Sequence, residues 1–132
     1  MPEAIDMSRE APTDVDALLQ ANLERVFNER DDARRADAVA ALYTEAPVMY
    51  EPAGPVHGRG DIHRIAGELL QRFGPRFRFA AQGMAAGHHG MATLLWTGGE
   101  PGQPPVVQGF DTAEIVDGRI ARLWVLIEPP GR

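Results

Sequence analysis

Glu51 closes a short apolar run, Val48-Met49-Tyr50, and is followed at once by Pro52. Proline biases the residue before it towards extended backbone, so this carboxylate sits where a strand gives way to a loop. Such a position joins a rigid support to open space, as proton-transfer chemistry requires. As a general base Glu51 needs a pocket and a proton affinity raised by burial, whereas a solvated acid at a strand end needs neither. Asp111 is the second acid of interest. Its neighbours Gly109, Phe110, Thr112 and Ala113 read as a strand, and an acid on the inward face of a strand must be neutral, paired or solvated by a cavity. On the outward face it would be an ordinary surface acid.

The histidines offer further candidates. His57 follows the turn through Gly54 and Pro55; it either orients Glu51, acts as a second acid–base group, or bonds the turn backbone. His63 lies one residue from a helical apolar stripe and is a candidate to look into the cavity. His88 and His89 are adjacent, so on a strand they would point to opposite faces, and a turn fits them better. No H-x-H or H-E-x-x-H spacing occurs, so no metal ligand set is assigned. The glycines around Arg59 and of Gly98-Gly99-Glu100-Pro101-Gly102 lack the lysine of a phosphate-cradling loop. The chain has no cysteine, which excludes disulfides, thiolate metal sites and cysteine nucleophiles. Ser8, the single serine, stands in the N-terminal tail, away from any nucleophilic triad. No cofactor is expected.

The elements that must position these acids follow from periodicity. Residues 1–12 read as a loose, flexible tail, and 13–132 as one domain. Thr13 with Asp16 resembles a capping box. Val15, Leu18, Leu19, Asn22, Leu23 and Val26 recur at helical spacing with Phe27 beside the stripe, predicting a first helix that ends near Arg30. Asp31 to Arg35 reads as a charged, solvated turn. A short second helix then carries Val39, Leu42 and Tyr43 on one face and is stopped by Pro47. A third helix starts after Gly58, buries Ile62, Ile65, Ala66, Leu69, Leu70 and Phe73, and stops at Gly74-Pro75.

Beyond Pro75 the period becomes two. Phe77, Phe79 and Ala81 alternate with Arg76, Arg78 and Ala80. Met91 to Trp96 forms the next strand, preceded by a turn at Gly87 to Gly90. Gly98 to Pro105 is a loop by composition. Val106 to Val116 and Arg119 to Ile127 are the last two strands, joined at the hairpin dipeptide Asp117-Gly118. Alternation places Gly109, Asp111, Ala113 and Ile115 on one face, with Leu123, Val125 and Ile127 beside them as cavity lining. Trp124 and Leu126 then face outward, towards a dimer interface that would cover an apolar sheet face. Trp96 serves either as a pocket wall or as core packing. Helices followed by antiparallel strands imply an α+β layer architecture, with helices on one face of a curved sheet.

Composition bounds the rest. At 132 residues, 44% hydrophobic and 24% charged, the chain has the make-up of an ordinary globular domain. A net charge of −6 leaves no uncompensated basic field for nucleic acid. The acidic N-terminus has neither the basic nor the apolar region of a signal peptide, and no apolar run reaches the roughly 18 residues of a membrane span. A cytoplasmic protein with no membrane partner is the expectation.

Two segments, YEPAGPVHGRGDI and GFDTAEIVDGRIARLWVLIE, resemble the nuclear-transport-factor-2-like superfamily, which includes ketosteroid isomerases and SnoaL-like polyketide cyclases. Glu51-Pro52 with Pro55-Val56-His57-Gly58-Arg59 is similar to one isomerase motif. Gln103-Pro104, Asp111 and Gly118-Arg119-Ile120 are similar to another. The resemblance implies a cystatin-like conical roll, three helices packed on a curved mixed or antiparallel sheet that encloses an apolar pocket, commonly in a homodimer. It also implies Glu51 as the proton-shuttling acid and Asp111 as a protonated donor to the substrate oxyanion, with an apolar, carbonyl-bearing small molecule as ligand. Tyr43 matches a tyrosine that supports the active site, and Met49 falls among the lining residues. Three positions depart from the pattern: Phe27 stands nearest the main tyrosine donor and cannot donate, Gly67 replaces a further supporting tyrosine, and Glu51 is one methylene longer than the aspartate of the isomerases. The alternatives within the same fold are a non-catalytic ligand-binding or dimerising module and a protein-binding module that uses the outer sheet face.

Overall fold

The computed structural model of the chain describes residues 14–128. The expected tail and Thr13 lie outside them. The first helix, α1 (Val15–Asn22), is capped by Asp14, whose carboxylate accepts from the Ala17 N–H at 3.0 Å. It runs on into a π-helical turn, Leu23–Phe27, so it ends three residues before Arg30. Leu18, Leu19, Asn22, Leu23, Val26 and Phe27 are all buried, as the stripe predicts.

Asp31 caps α2 (Asp32–Leu42) by accepting from Arg34 N–H at 2.8 Å. The expected solvated turn is therefore mostly helix, and Arg35 is only 3% exposed. Its guanidinium donates to the Glu29 carbonyl at 2.7 Å and the His63 carbonyl at 3.1 Å, and pairs with Asp32. Gly67 leaves room for it, since a β-carbon there would lie 2.5 Å from Nη2.

α2 passes directly into β1 (Tyr43–Glu51), and Pro47 lies inside this strand rather than ending a helix. The pairing of β1 with its neighbour slips between Tyr43 and Val48, so no ladder bond is asked of the proline nitrogen. Arg59 satisfies the irregular stretch, donating to the carbonyls of Tyr43 at 2.8 Å and Thr44 at 2.9 Å. β2 (Gly54–His57) folds back on β1 as an edge strand, where the sequence reading has only a loop. α3 (Arg59–Phe73) follows Gly58 and stops at Gly74, whose φ of 95° suits glycine alone. Arg30 secures that stop, donating to the Gly74 carbonyl at 2.7 Å and the Phe77 carbonyl at 3.0 Å.

The remaining strands are β3 (Arg78–Ala81), β4 (Ala86–His88), β5 (Met91–Gly99), β6 (Val107–Val116) and β7 (Arg119–Glu128). Their order across the sheet is β2-β1-β7-β6-β5-β3, with β4 also on β5. Among the described strands only β1 and β7 run parallel. Asp117 and Gly118, at φ 52° and 78°, make the expected tight turn. β4 is a short strand within the region read as a turn, and His89 and Gly90 alone turn the chain. The result is α+β, three helices packed on a curved, unclosed mixed sheet. Among the described residues no helix is long and apolar enough to cross a membrane.

Candidate active site

Side-chain parity on three adjacent strands builds the site. Asp111 on β6 pairs in register with Val125 on β7. On the other side of β7, Met49 pairs with Leu123 and Tyr50 with Trp124. One further step along β1 sets Glu51 beside Val125. The two acids therefore flank Val125 across two interstrand spacings, roughly 10 Å between backbones. Both reach one cavity of about 70 Å³, lined also by Leu23, Phe27, Met49, Leu69, Phe73, Phe79, Trp96, Val107, Val125 and Ile127. Phe73 and Ile127, 41% and 49% exposed, stand at its mouth.

Asp111 is 4% exposed. Its Oδ1 accepts from Trp96 Nε1–H at 2.9 Å. Burial pushes its carboxyl up to about 7, against the smaller pull of the indole hydrogen bond that favours the ionised form. Glu51 is half-buried, and burial raises its proton affinity too, opposed by the positive charge of Arg72. Phe79 meets the Trp96 ring edge-to-face at 5.2 Å and Phe77 likewise at 5.0 Å. Phe73 stacks on Phe77 at 4.3 Å. The walls are thus aromatic, and the polar functions converging on them are the two carboxyl groups.

Four residues expected in the lining lie elsewhere. Tyr43 is fully buried, and its hydroxyl donates to Asn22 Oδ1 at 2.6 Å, one layer below the cavity. It remains close enough for the charge of Asp111, after burial itself, to hold the phenol well above its ordinary range. Leu123 is sealed in the core between Met49 and Ala113. His57 is exposed at the end of edge strand β2, paired opposite Val48. His63 is not among the cavity-lining residues; its backbone carbonyl accepts from Arg35 Nε–H at 3.1 Å, and its buried Nδ1 has no hydrogen-bond partner among the described residues. Leu23, Leu69, Phe73, Phe79 and Val107 line the cavity in addition to the residues expected there. Among the described residues no three histidine or acidic side chains converge as a metal cluster would require.

The model of the SnoaL-like domain matches residues 23–123, from the π-helical turn to the middle of β7. The chain belongs to the SnoaL-like domain family. Solved structures place this SnoaL-like domain among nuclear-transport-factor-2-like folds. A candidate isomerase of the SnoaL-like family from Agrobacterium tumefaciens is 25% identical at a TM-score of 0.77, over 85% of this chain and 95% of that one. A candidate ketosteroid isomerase from Kribbella flavida is 21% identical at 0.66, over 92% and 88%. A candidate polyketide cyclase from Sinorhizobium meliloti is 18% identical at 0.63, over 91% and 99%. No curated protein matches the SnoaL-like chain by sequence. The last two similarities speak to fold alone, and within one fold activity must be argued from the site.

Proposed function

We propose that this SnoaL-like protein is an acid–base enzyme acting on a small, apolar, carbonyl-bearing molecule. Glu51 takes a proton from the carbon next to the carbonyl and returns it at another carbon, so the reaction is a rearrangement with no net loss of atoms. Asp111, protonated, donates a hydrogen bond to the oxygen on which negative charge develops. The observation that carries the reading is the meeting of two carboxyl groups from distant strands in one aromatic-walled cavity, both with proton affinity raised by burial. Water exclusion there strengthens the hydrogen bond at the moment charge appears.

The cavity of about 70 Å³ opens at Phe73 and Ile127, so it takes a small molecule or the carbonyl-bearing end of a larger one. Phe27 and Leu23 supply no second donor, which removes the tyrosine on which the steroid enzymes resembled here depend. Turnover of a panel of small cyclic enones, followed by proton exchange, tests the assignment. Glu51→Gln is expected to lose about 100-fold or more; equal turnover by the wild type and this variant rejects the role of Glu51.

A second reading, a ligand-binding module without turnover, is favoured by the same missing hydroxyl at Phe27. Tight binding of an enone with no exchange at any pH supports it over catalysis. In either reading a homodimer through the outer sheet face is proposed. Leu95, Phe110 and Leu126 stand in register across β5, β6 and β7 there, and Trp124 stacks on Tyr50 at 5.2 Å.

A further inference from the structure

We propose that Trp96 is a positioning residue that commits the proton of Asp111 to Oδ2 and so fixes where a ligand's accepting atom must sit. The inference rests on the reading that Asp111 donates into the cavity. An indole N–H donates and never accepts. At 2.9 Å from Oδ1 it requires a lone pair there, so the acid's own hydrogen belongs on the other oxygen. A neutral Asp111 held in this way presents one hydrogen-bond donor in one direction. The complementary ligand carries an acceptor oxygen, such as that of a ketone, aldehyde or ester, rather than a group that can only donate, such as ammonium.

Trp96 is held in this orientation by packing on two sides. Opposite it on β6 stands Gly109, where a β-carbon would lie 2.8 Å from Cζ2 of the indole. On its other side the ring meets the edge of Phe79 at 5.2 Å. Phe79 is itself fixed through its backbone: the Asn28 carboxamide accepts from its N–H at 2.7 Å and donates to its carbonyl at 2.8 Å. That pairing imitates a neighbouring strand and closes the free edge of β3. Asn28, Phe79, Trp96 and Asp111 thus form one contiguous support, in which Asp111 alone carries an ionisable proton.

The other titratable groups near Asp111 are Tyr43, whose hydroxyl is turned to Asn22, and Glu51 beyond Val125 with Arg72 beside it. Among the described residues the Asp111 side chain has the indole as its hydrogen-bond donor. Because that bond strengthens when the carboxyl ionises, Trp96 also restrains the rise in proton affinity that burial causes.

The test uses the full chain without substrate. In a Trp124→Phe background the remaining indole nitrogen-15 signal belongs to Trp96. It is expected to move with pH around a midpoint near 7 and to stop moving when Asp111→Asn is added. In Trp96→Phe the carboxyl carbon of Asp111 is expected to titrate about one pH unit higher than in the wild type. A purely structural tryptophan would leave that midpoint in place. An indole signal that ignores pH between 5 and 9, or an unchanged Asp111 midpoint in a folded Trp96→Phe protein, overturns the proposal. If Trp96→Phe does not fold, the indole titration decides alone. Full turnover by a folded Asp111→Ala protein, which has no donor at that position, would instead overturn the donor role proposed for that acid, a separate result read with substrate present.

Discussion

Gly109 stands directly opposite Trp96 across the β5–β6 ladder, and the indole ring occupies the space that a side chain at 109 would fill. A β-carbon there would also run into the carbonyl oxygen of Leu126 on β7. The glycine is thus a packing requirement, and the ring that covers it is the one that holds Asp111. Gly109→Ala is expected to destabilise the fold by about 1–3 kcal/mol, the usual range for overpacking. It should also shift the Trp96 fluorescence, which chemical denaturation followed at the tryptophan band would record.

Asp111 makes stability depend on pH in a defined direction. Its carboxyl sits at about 7 when folded, against an ordinary 3.8. The folded state therefore holds this proton more tightly than the unfolded chain. The contribution is complete below pH 4, declines as pH rises, and is gone above 7. The difference is about three pH units (7 minus 3.8), which corresponds to stability on the order of 4 kcal/mol. Asp111→Asn keeps an oxygen for the Trp96 indole but has no proton to lose. Urea unfolding of both proteins at pH 5 and pH 8.5 should show the wild type losing stability relative to the variant.

Arg59 gives the Gly-Arg segment its physical meaning. It reaches from the first turn of α3 to the carbonyls of Tyr43 and Thr44, where β1 slips out of register. Arg59→Ala should cost about 2 kcal/mol, since hydrogen bonds from a charged donor are worth about 1.5–3 kcal/mol. Arg59→Lys should recover only part, because an ammonium group lacks the planar fork that reaches both carbonyls. Thermal unfolding of the three proteins measures this.

The outer sheet face makes a separate prediction. Leu126 is 50% exposed beside Trp124. If two copies meet there, Leu126→Glu buries an unpaired charge and should convert a dimer to monomer in sedimentation, with the near-ultraviolet signature of each domain retained.

How much of this was legible in the sequence depends on which physical signal each residue leaves. Period-two alternation correctly orients Asp111, Val125 and Leu123 inward, but it cannot distinguish an inward side chain at a cavity from one sealed beneath it. For that reason Leu123 and Tyr43 read as lining, whereas the helices cover them. Phe73, Phe79 and Leu69 read only as core, because nothing in an apolar stripe marks its open end. Pro47 read as a helix stop, since a proline inside a strand is tolerated only at an irregularity that sequence does not display. β2 and β4 contain glycine, proline or histidine and are only four and three residues long, so composition masked them. Arg35 looked solvated among its acids, whereas its burial depends on the room left by Gly67 more than thirty positions away. What separated motifs carried best was element order, and with it the meeting of Glu51 and Asp111.

The most direct measurement is the titration of the Asp111 carboxyl carbon by carbon-13 NMR in the wild-type protein, assigned through Asp111→Asn. A midpoint near 7, well above that of the surface aspartates, is the predicted result. A midpoint near 4 would mean an ionised acid at neutral pH, unable to donate, and would contradict the proposed chemistry.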